Sequence, residues 1–397
     1  MQFYRMPKFT ADLLFPVASP PIERGVVEID EEGYVLSLMA PGDRGYSTVG
    51  ARYLQGWIVP GWINAHCHLE LAGLKGKIEE NTGINGFIDS LNALRPQQGD
   101  EQAIREADAQ MWAEGVMAVV DISNTTDSFG IKRQSTIEYY TLVERFGFRP
   151  EVAEANYSQG VRVLEALRAD GLQGNISLHA PYSSSVPLME SVKAHIEAEG
   201  GLWSLHFLES ESERELFEHQ RGELFERLQN WGFKPEEQLR GVRSVMDYMQ
   251  QAIPRSGTLL LVHNTHISEA ELSLLRPEHE RLFICICPEA NRFIEAQLPP
   301  LDLLSSKPFQ LCLGTDSLAS ARHLSMLENL KMLQTAFPAI PFETMLCWAT
   351  LNGARLLGRE NKLGALAVGM RPGLVHIQHV DNSSKKILPN AVACRIA

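Results

Sequence analysis

The chain has 397 residues, a formal net charge of −13 at pH 7, 44% hydrophobic residues and 21% charged residues. This length suits one large domain with a small accessory domain, and the composition is that of a globular protein. The excess of 49 acidic over 36 basic residues disfavours binding to nucleic acid or to an anionic membrane, because both carry negative charge.

The N-terminal segment and the cysteines indicate the compartment. The first residues lack the basic segment and apolar run of a signal peptide, and we expect no membrane helix, which would need roughly 18 to 20 consecutive apolar residues. The six cysteines lie scattered, mostly within apolar runs, which favours buried thiols over disulfides: Cys67, Cys285, Cys287, Cys312, Cys347 and Cys394. We therefore expect a reducing, cytoplasmic location.

Both ends of the chain predict short strands and turns. Near the N-terminus GVVEID is followed by the turn EEG and by YVLSLMA, and near the C-terminus LVHIQHV precedes the polar stretch NSSKK. We expect these ends, residues 1–55 and 362–397, to form one small β-sandwich domain.

Between the ends, apolar strand candidates alternate with helical segments, a pattern typical of parallel βαβ units. One helix, EQAIREADAQMWAEG, is predicted to end at Gly115. Eight repeats favour a closed barrel over an open sheet. We therefore predict an α/β fold with a (β/α)8 TIM-type barrel over residues 56–361. The strand candidates are WIVPGWINAHCH (57–68), VMAVVDIS (116–123), FRPEVAEANY (148–157), NISLHAPYS (175–183), LWSLHFLES (202–210), TLLLVHN (258–264), RLFICICPE (281–289) and FQLCLGTDS (309–317).

Most strand candidates end in polar residues, where barrel enzymes carry their catalytic groups. His66 and His68 lie two residues apart on a strand, so both imidazoles point to one face and offer half of a metal site. An isolated HxH pair is more often two hydrogen-bonded core histidines. Further ligand types at the ends of other strands favour the metal site here.

The later strand ends supply these further groups. His206 is a candidate metal ligand and Glu209 a candidate proton carrier, although a core histidine beside a solvated glutamate fits this pair equally well. Asp316 is a candidate ligand that can also share a proton with water, against the alternative of a helix cap. His263 is a candidate for stabilising the attacking hydroxide, and we prefer it to His266 because it directly follows the apolar run.

Three residues are candidates for substrate contact: His179, Asn291 and Glu70. A second metal would need a bridging lysine or carboxylate near His179, and the sequence shows none there, so we expect one metal. The remaining histidines that we considered fit solvated or structural roles better: His195, His219, His279, His376 and His379.

The ordered motifs PGWINAHCHLE, LHAPYS, HFLES, LVHNTHIS, CPEANRF and LGTDSLAS resemble the amidohydrolase superfamily. The branch they resemble includes guanine, S-adenosylhomocysteine and aminodeoxyfutalosine deaminases and triazine chlorohydrolases. The resemblance runs from about Pro60 to Gly373. Two departures are RPGLVHI, which lacks the usual aspartate, and Ala321, where asparagine is frequent.

The resemblance implies one divalent metal, zinc before iron(II), with four ligands: His66, His68, His206 and Asp316. It also implies that Glu209 shuttles a proton to the substrate ring, that His263 contacts the attacking hydroxide, and that His179 and Asn291 touch substrate.

The reaction that follows is hydrolytic deamination of an aminated heterocycle, which makes a small molecule the expected partner. A 6-aminopurine nucleoside, with aminodeoxyfutalosine first, is favoured by HLELAGLKGKI after the first ligands. S-adenosylhomocysteine, methylthioadenosine and guanine stay open, as does a hydrolase that expels chloride or an amine. A non-catalytic barrel scaffold is disfavoured because the chain keeps all four ligands. A homodimer is also left open.

Overall fold

The computed structural model of the protein describes residues 6–95, 99–250, 253–275 and 281–397. The first five residues of the predicted terminal domain, and His279, lie outside these ranges. Within them, the helices fall short of the length and apolar character that crossing a bilayer requires. All six cysteines are free thiols, as predicted.

The strands are numbered in chain order. They are β1 (Lys8–Leu14), β2 (Ile22–Glu23), β3 (Val26–Ile29), β4 (Val35–Met39), β5 (Arg52–Pro60), β6 (Trp62–Cys67), β7 (Val116–Ser123), β8 (Glu138–Arg145), β9 (Gln173–Leu178), β10 (Leu202–Phe207), β11 (Thr258–His263), β12 (Leu282–Ile286), β13 (Gln310–Leu313), β14 (Leu374–Asp381) and β15 (Lys386–Arg395).

Most helices lie between β6 and β14. They are α1 (Gly83–Leu94), α2 (Glu101–Glu114), α3 (Phe129–Gln134), α4 (Ala153–Ala169), α5 (Val186–Glu199), α6 (Glu211–Arg214), α7 (Glu223–Asn230), α8 (Pro235–Gln238), α9 (Val245–Met249), α10 (Glu269–Leu274), α11 (Pro288–Glu295), α12 (Leu301–Ser305), α13 (Met326–Ala336), α14 (Phe342–Ala349) and α15 (Leu351–Leu356). Helix α2 is followed, as predicted, by Gly115, whose φ of 99° suits glycine as a helix stop.

Eight strands form two parallel sheets, β6-β7-β8-β9 and β10-β11-β12-β13. Every residue of β6, β10 and β12 is buried, which is typical of parallel strands covered on both faces. The two sheets approach each other at both edges. Cys67 in β6 forms a parallel bridge with Asp316 beyond β13, and the N–H of His206 in β10 donates to the carbonyl of His179 beyond β9 at 2.8 Å.

The chain ends form a single seven-stranded sheet of order β15-β14-β5-β1-β3-β4, with β2 beside β1. Within it β1 and β5 run parallel and the other pairs antiparallel. The predicted strands GVVEID, YVLSLMA and LVHIQHV correspond to β3, β4 and β14. The predicted sandwich is not confirmed, because these segments build one mixed sheet.

Two strand predictions are wrong. Residues 57–68, predicted as one strand, divide at Gly61 between β5 of the terminal sheet and β6 of the parallel sheet. A Cβ at Gly61 would collide with the Met117 side chain and the Pro372 carbonyl, so the close approach of these segments needs glycine. Residues 148–157 form a turn and the start of α4, and the strand is β8 instead. Glu144 and Arg145 are buried in β8, and these charges interrupt the apolar run that reveals the other strands.

Candidate active site

The first two predicted ligands lie at the carboxyl end of β6. The Nε2 atoms of His66 and His68 are 3.1 Å apart. The turn that follows is held by Asp121, whose Oδ1 accepts the N–H of Leu69 at 2.8 Å. Asp121 in turn forms a fully buried ion pair with Lys132, at 2.5 Å. The direction of the chain leaving His68 is therefore set from the neighbouring strand β7.

The structure brings the other two predicted ligands to the same point. Nε2 of His206 lies 3.2 Å from Nε2 of His66. Oδ1 of Asp316 lies 3.4 Å from Nε2 of both His66 and His68. Four side chains from three strand ends therefore converge, and we call them the ligand cluster.

The chemistry of the ligand cluster fits a divalent metal. Nδ1 of His206 donates to the carbonyl of His179 at 2.9 Å, so its Nε2 lone pair is directed into the cluster. Asp316 accepts a hydrogen bond from Ser320 at Oδ2, which leaves Oδ1 for the cluster. Three imidazole nitrogens and one carboxylate oxygen form a donor set that suits zinc or iron(II).

The protonation states in the cluster also suit a metal. Burial lowers the pKa of His66, and it lowers that of His206 well below its usual value, with neighbouring histidines adding to the effect. Burial alone would raise the pKa of Asp316, but the hydrogen bond with His66 and the electrostatic effect of the neighbouring imidazoles hold it well below its usual value. Neutral imidazoles and an ionised carboxylate are the forms that bind metal.

A second pair lies beside the ligand cluster. Oε1 of Glu209 is 3.5 Å from Nε2 of His263, and both side chains are buried. Burial raises the pKa of Glu209 well above its usual value, which favours the protonated form of this carboxyl. Burial lowers the pKa of His263 to about 3, so the imidazole is neutral.

The backbone at these strand ends is unusual. Leu208, His263 and Asp316 have φ values of 46°, 73° and 59°, in the left-handed region that costs a non-glycine residue about 1–3 kcal/mol. Each lies where a buried strand gives way to its loop. The left-handed residue turns the chain sharply there, directly at or beside a predicted functional side chain.

The structure distinguishes between His263 and His266. The ring centroid of His263 is 5.2 Å from that of His206 and 5.9 Å from that of His66. The ring nitrogens of His266 instead face Glu211 at 3.3 Å and Glu295 at 4.0 Å. The preferred histidine is therefore the one that lies against the ligand cluster.

Two of the predicted substrate contacts lie next to the site. The ring centroid of His179 is 4.8 Å from that of His206, and its Nδ1 lies 2.8 Å from the Ser183 hydroxyl. Asn291 is buried, with its Nδ2 3.3 Å from Nδ1 of His263 and 2.5 Å from the Thr265 hydroxyl. Asn291 therefore contacts His263 directly.

Glu70 is placed differently. Its carboxylate accepts the N–H of Asn124 at 2.9 Å, and the N–H and hydroxyl of Thr125 at 3.1 and 3.0 Å. These bonds hold the loop after β7 and occupy both carboxylate oxygens. Substrate contact by Glu70 stays a prediction, and the geometry favours a structural role.

Glu144 is the buried group that sequence reasoning missed. Its Oε1 is 3.6 Å from Nδ1 of His206, and its Oε2 accepts from Asn124 at 3.1 Å. It lies near the end of β8, the strand whose position was mispredicted. Correct bounds would have revealed it, because β8 ends in polar residues like its neighbours.

An aromatic side chain and a cation lie near His179. The ring of Phe146, just after β8, is centred 6.3 Å from the His179 ring. The guanidinium of Arg95, at the end of α1, lies 5.7 Å from the centre of the Phe146 ring. Among the residues that the structure describes, Arg95 forms no ion pair, which is notable in an acidic protein.

Comparison with known proteins identifies the family of the chain. Residues 57–392 match the amidohydrolase family. The chain belongs to this family. The predicted resemblance to its deaminase and triazine-hydrolase branch is confirmed.

Three similar proteins illustrate the relation. Adenosine deaminase of Helicobacter pylori is 26% identical over 310 residues, covering 77% of this chain and 75% of the relative. The 5-methylthioadenosine/S-adenosylhomocysteine deaminase of Halalkalibacterium halodurans is 25% identical over 358 residues, covering 81% and 72%. The crystal structure of Helicobacter pylori aminofutalosine deaminase with methylthio-coformycin superimposes with a TM-score of 0.76 at 23% identity, covering 93% of this chain and 91% of that one. The last comparison shows that the fold is shared.

Proposed function

We propose that this member of the amidohydrolase family is a metal-dependent hydrolytic deaminase of a 6-aminopurine nucleoside, with aminodeoxyfutalosine as the first candidate. One observation carries the proposal: the buried pair of Glu209 and His263 lies beside the ligand cluster. Hydrolysis of the bond between a ring carbon and its amino group needs a proton carrier, a neutral imidazole and a metal-binding donor set. The similar proteins named as deaminases support the same reaction.

We propose zinc as the metal, with iron(II) as the alternative, held by the four residues of the ligand cluster. A divalent metal held there would lower the pKa of bound water and so supply hydroxide at neutral pH. The donor set supports this assignment, because imidazole nitrogen and carboxylate oxygen both ligate these ions.

The remaining steps belong to side chains of the chain. Glu209, whose burial favours the protonated form by raising its pKa, gives its proton to the ring nitrogen next to the carbon under attack. If Asn291 donates to Nδ1 of His263, Nε2 carries the hydrogen and can hold the attacking oxygen. Asp316, which is ionised before the reaction, takes the proton of the attacking oxygen and passes it to the amino group. The bond between the ring carbon and the amino nitrogen then breaks and ammonia leaves.

Arg95 and Phe146 favour a carboxylated aromatic substituent on the substrate, such as aminodeoxyfutalosine carries. The aromatic ring would stack on Phe146 and the carboxylate would pair with Arg95. His179, close to Phe146, would contact the nucleoside between this wall and the ligand cluster. Adenosine-type thioethers and guanine lack the carboxylated ring, so they remain the second candidates.

The test is release of ammonia by the metal-loaded protein. The substrates are aminodeoxyfutalosine, adenosine, methylthioadenosine, S-adenosylhomocysteine, guanine and a chlorinated triazine. We expect turnover of the 6-aminopurines, highest for aminodeoxyfutalosine, and stoichiometric metal in the purified protein. A protein without bound metal and without turnover would instead favour the non-catalytic scaffold.

A variant tests the choice of substrate. Arg95→Gln is expected to raise KM for aminodeoxyfutalosine about tenfold or more, since a charge-assisted hydrogen bond contributes about 1.5–3 kcal/mol. KM for adenosine should stay unchanged, because adenosine has no carboxylate. Equal effects on both substrates would show that Arg95 does not select for the carboxylate.

We also propose that the two parallel sheets close into one eight-stranded barrel over residues 56–361, with residues 1–55 and 362–397 as an accessory β domain. The edge contacts Cys67–Asp316 and His179–His206 support closure. Because all of β5, Arg52–Pro60, belongs to the terminal sheet, we place the boundary just after this strand, at Gly61. A cytoplasmic location is part of the same proposal, and the oligomeric state stays open.

A further inference from the structure

A buried glutamate holds the loop that carries Glu209. Glu213 lies in α6, four residues after Glu209, and is fully buried. Its Oε1 accepts the N–H of Glu209 at 2.7 Å and of Ser210 at 3.3 Å, and its Oε2 accepts the N–H of Leu208 at 3.1 Å. Three consecutive backbone amides, including that of left-handed Leu208, therefore converge on one side chain.

Arg214, the residue after Glu213, contacts the loop that carries His263. The guanidinium of Arg214 donates to the carbonyl of His266 at 2.6 Å and pairs with both oxygens of Glu271 at 2.9 and 3.0 Å. Glu271 itself accepts the N–H of Ser268 at 2.7 Å. Arg214 thus fixes the segment between His263 and the start of α10.

The contacts of Glu213 and Arg214 lie just beyond the carboxyl ends of the paired strands β10 and β11. Strands β10 and β11 pair in parallel up to Phe207 and His263. Beyond this point the loops leave the ladder through the left-handed residues Leu208 and His263. Backbone hydrogen bonds still join the two loops here, from the N–H of Asn264 to the Phe207 carbonyl at 3.0 Å and from the N–H of His266 to the Leu208 carbonyl at 2.9 Å. Neither bond includes Glu209, whose own N–H is held by Glu213 in α6, and α6 contacts both loops.

We propose that Glu213 and Arg214 are positioning residues: together they fix the Glu209 loop against the His263 loop and so set the separation of Glu209 Oε1 from His263 Nε2. We call them the Glu213–Arg214 clamp. The inference rests on the proposed function, in which both groups act on one substrate. A misplacement of about 1 Å in such a pair can cost about 100-fold in rate.

Kinetics of the metal-loaded enzyme test the clamp. Glu213→Gln and Arg214→Gln are expected to lower kcat about tenfold or more while KM and bound metal stay unchanged, because the displaced groups act in the transition state. In a Glu209→Gln background the same changes should cause little further loss, because the group that they position is already gone. Arg214 is only partly buried, so Arg214→Gln remains informative if Glu213→Gln folds poorly.

A matched control separates positioning from general loss of a hydrogen-bonded carboxylate. Asp12 in the terminal sheet accepts the Tyr53 hydroxyl at 2.6 Å and the N–H of Gly56 at 2.9 Å. Asp12→Asn should leave kcat unchanged. Additive losses in the Glu209→Gln background, or a parallel loss of bound metal, would overturn the clamp.

Amide hydrogen exchange gives a readout that does not depend on activity. Glu213→Gln should speed exchange across residues 208–210 and Arg214→Gln across residues 264–268, whereas Asp12→Asn should change neither segment. Unchanged exchange in both segments would overturn the inference. If the wild-type protein deaminates none of the candidate substrates, the proposed function fails, and the exchange result still decides the clamp.

Discussion

At the scale of single residues, the site depends on which ring nitrogen of each imidazole has a hydrogen-bond partner outside the ligand cluster. His206 uses Nδ1 to reach the carbonyl of His179, which directs Nε2 to the ligand cluster. His263 has Asn291 at Nδ1 and Glu209 at Nε2. Partners outside the cluster thus orient the rings before any substrate binds.

Glu209 provides the first prediction at this scale. Glu209→Gln keeps the shape of the side chain but cannot carry the proton, so we expect normal metal content and a fall in kcat of about 100-fold or more. Ammonia release and metal analysis on the same preparation measure both quantities. Near-normal turnover would remove the proton-transfer role.

The two histidines after β11 provide the second prediction. His263→Ala should impair kcat far more than His266→Ala, because His263 lies against the ligand cluster whereas His266 faces Glu211 and Glu295. Side-by-side kinetics on one substrate decide the order. The reverse ranking would show that the catalytic role belongs to His266 and not to His263.

At the scale of elements, α1 covers segments that follow the metal ligands. Its partly buried apolar residues pack in one cluster with residues that follow His68 and Asp316 along the chain. The members from α1 are Phe87, Leu91 and Leu94, those that follow the ligands are Leu71, Leu74, Ile78 and Ala319, and Phe293 of α11 packs against the same cluster. The helix is tied to α7 by Arg227, which donates to Asn85 at 2.8 Å and to Asp89 at 2.8 Å. Helix α1 therefore closes one side of the site.

Loosening α1 should weaken substrate binding. Arg227→Gln removes the hydrogen bonds to Asn85 and Asp89, which contribute about 1 kcal/mol, so we expect KM to rise about fivefold with kcat little changed. Lys234→Gln, which removes an exposed ion pair with Glu237, is the matched control and should leave KM unchanged. An unaltered KM in Arg227→Gln would show that α1 does not shape the binding site.

At the scale of the whole molecule, the ligand cluster joins the two parallel sheets. In one sheet His66 lies in β6 and His68 directly after it. In the other sheet His206 lies in β10 and Asp316 follows the end of β13. A bound metal would therefore crosslink strands that are far apart in sequence. Its binding free energy would add to the stability of the folded state.

Removal of the metal should lower Tm. At free metal 1,000-fold above Kd, binding adds about 4 kcal/mol to the free energy of unfolding, so dialysis against a chelator should lower Tm measurably and added zinc should restore it. His68→Ala should abolish this shift. His219→Ala, at an exposed histidine outside the cluster, should retain it, and a shift that survives in His68→Ala would contradict the assigned ligands.

Local pattern determined much of the site. His66 and His68 share a face because side chains alternate along a strand, and the polar ends of the apolar runs identified His206, Glu209, His263 and Asp316. These signals can be recognised without knowledge of distant contacts, because the apolar runs and their periodicity are visible in the local sequence. The family followed from the order of the same motifs.

Only the tertiary structure decided what depends on partners distant in sequence. Glu70 reads as a substrate contact beside the first ligands, yet its oxygens are taken by Asn124 and Thr125, on the loop after the neighbouring strand. Glu144 was missed because its charge interrupts the apolar run of β8, and its contacts with Asn124 and His206 come from segments distant in sequence. In the proposed clamp, the separation of Glu209 from His263 also depends on α6, which contacts both loops. Such contacts arise when the strands assemble, so local sequence cannot specify them.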